Sequence, residues 1–126
     1  LNLTEFIRSF YNSTERNIQL DIFHDGEVLL QVYKTNDVLK WKSDVKVENG
    51  DVILELCFNK NKRRSNYDSF KNSDFLDSFK SVDLEGGDIF WKQINSESES
   101  LEFIIIELLS DVFKIKDEVD IYVRAY

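Results

Sequence analysis

Residues Ile18 to Tyr33, IQLDIFHDGEVLLQVY, carry the reading on which the fold turns. Ile18, Leu20 and Ile22 alternate with polar or mixed residues, and so do Val28, Leu30 and Val32. A period of two is the mark of a half-buried strand. Between the two runs lies His24-Asp25-Gly26, a loop with glycine where a positive φ is needed. Closed over those three residues, the loop pairs Ile22 with Val28, Leu20 with Leu30 and Ile18 with Val32, apolar against apolar on one face. The other face holds Gln19, Asp21, Phe23, Glu27, Leu29, Gln31 and Tyr33.

A second hairpin is expected downstream. Asn49-Gly50 is a preferred two-residue turn. It sets Val47 against Val52, Val45 against Leu54 and Trp41 against Phe58, with Ser43 facing Leu56. The reverse side carries Lys40, Lys42, Asp44, Lys46 and Glu48 against Asp51, Ile53, Glu55, Cys57 and Asn59. The first set is assigned to the core, and Lys42, Asp44, Lys46 and Glu55 to an exposed, charged face.

Helices flank these strands. Leu3, Phe6, Ile7, Phe10 and Tyr11 form an apolar stripe, with Asn2 and Glu5 in capping-box spacing. Residues 59–74 are polar and read as an extended loop with the basic cluster Lys60, Lys62, Arg63 and Arg64; a short helix over Asp74–Lys80 follows. Gly86-Gly87 marks a turn before a strand over Ile89–Ile94. Ser96 and Glu99 have capping-box spacing ahead of a helix reaching about Phe113, with Leu101, Ile104, Ile105, Leu108, Leu109, Val112 and Phe113 apolar. Val119, Ile121, Val123 and Ala125 alternate in a closing strand. The whole is a single α+β domain over residues 1–126, a mostly antiparallel sheet with its two longer helices on one face.

Charge narrows the function. The chain carries 24 acidic and 16 basic residues and a formal charge of −8. Binding to a nucleic-acid backbone is driven by cations, so direct nucleic-acid binding is not expected. A basic protein partner is favoured by the same electrostatics. No apolar run is long enough for a membrane helix, and no secretory signal is visible, so a cytoplasmic protein is expected.

Chemistry of its own is not expected either. One histidine and one cysteine, His24 and Cys57, rule out a zinc cluster of the Cys/His type. They fall on different hairpins, which argues against a nucleophile and base pair. Asp44 and Glu55, opposed across the second hairpin, have Lys42 and Lys46 beside them as neutralising cations. No catalytic residue, metal or cofactor is assigned. The candidate partner-binding residues are Asp44, Glu55, Asp83, Glu85, Asp88 and Trp91. Asp83, Glu85 and Asp88 form an acidic turn around Gly86-Gly87, and Trp91 is of a type enriched in binding hot spots.

Small size, acidity, a lone α+β domain and the absence of catalytic apparatus resemble the bacterial immunity proteins, among them those of contact-dependent growth inhibition. The resemblance rests on general character and transfers no site residue. It implies an antitoxin that docks an acidic surface on a cognate toxin domain, often a nuclease, and blocks it. A monomer is expected in preference to a dimer. The other class with this character is the small acidic type III secretion chaperone, which dimerises and binds an extended effector segment. Those chaperones typically end in a helix, whereas this chain ends in a strand pattern.

Overall fold

The computed structural model describes residues 3–34, 47, 50–58, 62–84, 87–95 and 100–125. Helix α1 spans Leu3–Asn12, followed by strands β1 (Ile18–His24), β2 (Glu27–Tyr33) and β3 (Val52–Cys57). Helix α2 (Arg64–Lys71) and a 3₁₀ turn (Leu76–Ser78) lead to β4 (Lys80–Leu84) and β5 (Gly87–Ile94). Helix α3 (Leu101–Glu107) continues as a π-helical turn over Leu108–Val112, and β6 (Asp120–Ala125) closes the fold. The described strands form one six-stranded antiparallel sheet in the order β4-β5-β3-β2-β1-β6. The α+β architecture read from the sequence is the one found.

The first hairpin forms, but in a different register. Asp25 and Gly26 both have positive φ, 52° and 77°, so the turn is two residues long and His24 pairs with Glu27. Continued unchanged, that register would set Ile22 against Leu29 and Leu20 against Gln31. A bulge at Leu29 corrects it, so that Ile22 pairs with Leu30 and Leu20 with Val32. Turn chemistry and apolar pattern disagree by one residue, and the bulge reconciles them. It also lets Leu29 and Leu30 both join the core.

The second hairpin needs a larger correction. β3 lies inside the sheet: Ile53–Leu56 pair with Tyr33–Leu30 of β2 on one edge and with Gln93–Phe90 of β5 on the other. No edge of that stretch remains for a hairpin partner. Lys40, Trp41, Lys42, Asp44, Val45, Lys46 and Glu48 lie outside the described residues. The assigned core face does hold, since Val52, Leu54, Leu56 and Phe58 are buried. Gly50 keeps a positive φ of 89°, while Val47 packs with Ile53 and Trp91 on the opposite face.

The three described helices cover one face of the sheet and share its core. Ile7 and Phe10 of α1 are buried there. The carbonyls of Tyr11 and Ser13, at and just beyond the end of α1, accept hydrogen bonds from Lys34 Nζ at 3.2 and 2.7 Å, which accounts for a buried lysine.

Residues 64–71, read as loop, are helix α2. Only Tyr67 and Phe70 mark its apolar side, too few to announce a helix. Both enter an aromatic cluster with Phe58, Phe79, Phe90 and Phe113, in which Phe70 lies 4.7 Å from Phe90 and Phe58 stacks on Phe113 at 5.4 Å. Burying rings of this size, at roughly 2 kcal/mol each, outweighs the weak helix propensity of RSNYDSFK. The helix expected over Asp74–Lys80 is only the 3₁₀ turn, because Lys80 already begins β4.

The last helix is capped by Ser100, whose Oγ accepts from Phe103 N at 3.3 Å. Ser96 and Glu99 lie outside the described residues. Leu101, Ile105, Leu108 and Val112 face the core. From Leu108 the helix widens, with Phe113 N donating to Leu108 O at 3.0 Å. The added residue lets Phe113 reach Phe58 while Val112 stays buried.

Candidate partner-binding surface

Two of the residues singled out in the sequence prove to be interior. Glu55 is 8% exposed, not on an open charged face, because β3 is flanked on both sides and Glu55 sits between Gln31 and Trp91 in register. Burial pushes its carboxyl up to about 7. Trp91 is 2% exposed and packs on Ile53, with the Lys80 ammonium 5.3 Å from its ring centroid. Phe90, one residue away, points to the helix-covered core. Neither Glu55 nor Trp91 offers a surface to a partner in this fold.

Asp83 and Asp88 are directly opposed near the end of the β4–β5 hairpin. Glu85 and Asp44 lie outside the described residues.

Around Glu55 the face of the sheet opposite the described helices holds a polar network. Asp21, 2% exposed, accepts from Gln19 Nε2 at 2.7 Å, Gln31 Nε2 at 2.9 Å and Arg124 Nε at 2.9 Å. Gln31 Oε1 accepts from Tyr33 OH at 2.9 Å and from Cys57 Sγ at 3.7 Å. Burial, and then the carboxylates of Glu55 and Asp21, push the Cys57 thiol up to about 12, so it stays protonated and unreactive. His24 bonds Asp117 at 2.9 Å. Among the described residues no three His, Cys, Asp or Glu side chains converge as a metal site would require.

The basic cluster is largely spent within the fold. Arg63 donates to Glu27 at 3.0 Å, to the His24 carbonyl at 3.2 Å and to Asn66 at 3.3 Å, fastening the first hairpin to α2. Lys62 pairs with Glu27, and Arg64 with Asp68. Lys60 lies outside the described residues.

What the fold does leave open is the outer side of α3. Phe103 is 60% and Ile106 49% exposed, three residues apart and therefore side by side on the helix. In the sequence both belong to the apolar run Phe103-Ile104-Ile105-Ile106, flanked by Glu102 and Glu107 and too short to cross a membrane, and neither belongs to the buried stripe. Two large apolar residues on the polar side of an amphipathic helix were the signal available. Glu102, on the α1 side, accepts from Thr4. On the other side Glu107 and Asp111 line an open groove of about 540 Å³, whose far wall includes Asp74, Phe75 and Ser78. Apolar side chains thus stand beside a groove with three carboxylates.

Among the described residues no helix is long and apolar enough to cross a membrane. No family model, no curated protein and no solved structure matches the chain.

Proposed function

We propose that this chain is an immunity protein, a binding protein without catalysis of its own that docks on a basic bacterial toxin domain and blocks it. The observation that carries the reading is the α3 surface. Exposed apolar anchors beside a polar rim are the anatomy of protein-binding sites. Here Phe103 and Ile106 would supply contact area. Asp74, Glu107 and Asp111 would receive lysine or arginine side chains in the groove. The net charge of −8 favours the same sign of partner at long range.

A toxin that acts on RNA or DNA fits this chemistry, because a nuclease needs a basic surface to hold phosphates. The acidic corner at Asp83 and Asp88 is a second contact in this reading. A chaperone would instead bind an extended segment of its client, so the folded or unfolded state of the bound partner separates the two.

The test is growth protection against any candidate toxin domain encoded by the neighbouring genes, together with binding of the purified pair. Protection and a complex with the folded toxin domain are expected. Phe103→Ser and the double change Glu107→Gln with Asp111→Asn should each weaken binding about tenfold or more while circular dichroism stays unchanged. Failure to protect, or binding only to the unfolded toxin, would overturn the immunity reading.

A further inference from the structure

We infer that β6 is a self-pairing edge, through which two copies of this chain join their sheets about a two-fold axis centred on Tyr122. β6 pairs with β1 on its inner side. No described strand pairs with its outer side. Such an edge presents unpaired backbone donors and acceptors to any second strand.

The side chains identify which strand fits. Asp120, Tyr122 and Arg124 alternate on the face opposite the described helices, across from Phe23, Asp21 and Gln19 of β1. All three are exposed, Tyr122 at 56%. Tyr122 is held edge-on by Phe23, with centroids 5.6 Å apart. Arg124 commits Nε to Asp21, yet its side chain is 60% exposed. Its terminal nitrogens have no partner among the described residues, and neither does the Asp120 carboxylate.

In an antiparallel self-pair centred on Tyr122, Asp120 of each copy lies opposite Arg124 of the other, and Tyr122 meets Tyr122. Side chains keep to their own face only in registers centred on a residue. Among these, only the one on Tyr122 sets Asp120 opposite Arg124. Directly opposed side chains in a ladder are close enough for ion pairing. The terminal nitrogens of Arg124 would therefore find the carboxylate they lack, at both ends of the seam. On the other face Ile121 would lie opposite Val123. The contact is isologous and closes at two copies, whereas pairing of β6 with the far edge strand β4 would propagate.

This surface is separate from the outer side of α3, so a dimer would carry that side twice, and the inference stands or falls independently of any toxin. It replaces the monomer expected from the sequence. An edge seam of this size is small, so association should be weak and visible only as concentration rises.

Sedimentation of the full chain from about 10 µM to about 1 mM is the measurement. The mass should climb from 14.9 kDa toward twice that value and stop there. High salt and Asp120→Arg, which sets like charges opposite each other at both ends, should each hold the chain monomeric. Amide exchange along β6 should slow with concentration in the unaltered chain and not in the variant. Tyr122→Asp, which places two carboxylates on the axis, is an independent disruption at an exposed site. A chain monomeric at every concentration, growth past the dimer, or a dimer that ignores both substitutions would overturn the inference.

Discussion

Glu55 shows how a single residue registers its neighbours. Its carboxyl, ordinarily near 4.5, is raised to about 7 by burial. The folded state therefore holds more protons than the unfolded chain between about pH 4.5 and 7. Stability should fall as pH rises through that window, by up to about 3 kcal/mol, and level off above it. Glu55→Gln keeps the shape and removes the charge. The variant should be more stable than the parent by about 1–3 kcal/mol at pH 8 and nearly equal to it at pH 4. Urea unfolding at the two pH values reads this directly. Equal stabilities at pH 8 would show that the carboxylate is solvated after all.

At the scale of elements, α2 and the π-helical turn hold each other in place. Asn66 Nδ2 donates to the carbonyls of Val112 at 3.1 Å and Phe113 at 3.3 Å, at the end of the widened helix. Lys114 then takes a φ of 57° and ends it. Asn66→Ala should cost about 1–3 kcal/mol, because two carbonyls lose a donor at a buried site. A loss below about 0.5 kcal/mol in thermal or urea unfolding would mean that water replaces the amide. In the first hairpin, a side chain at Gly26, whose φ is 77°, would meet no heavy atom within 4 Å beyond its own chain neighbours. Gly26→Ala should therefore cost only the backbone strain of a positive φ, about 1 kcal/mol, without disturbing the bulge at Leu29.

For the molecule as a whole, charge sets the expected kinetics of partner binding. If the α3 surface and the acidic sheet corner meet a basic toxin domain, raising salt to about 0.5 M should slow association roughly tenfold and change dissociation much less. Stopped-flow rates against salt measure both. A salt-independent association rate would remove electrostatic steering from the account and leave the apolar pair, Phe103 and Ile106, as the basis of recognition.

Much of this architecture is local and was legible in the chain. The period-two runs at 18–33 and 119–125, the stripes of α1 and α3, and the turn glycines at 26 and 50 follow from contacts between near neighbours. Apolar alternation also named the buried residues Val52, Leu54, Leu56 and Phe58 correctly. Only tertiary structure decided the rest. Asn49-Gly50 announced a hairpin whose second strand instead became the centre of the sheet, because strand partners are chosen by long-range packing and not by turn chemistry alone. That placement buried Glu55 and Trp91, which sequence had assigned to a partner. It also drew 64–71 into a helix, since two aromatics gain enough from a cluster assembled by distant strands. Phe103 and Ile106 stand out for the converse reason: an apolar residue becomes informative only once the fold has shown that nothing in the described structure buries it.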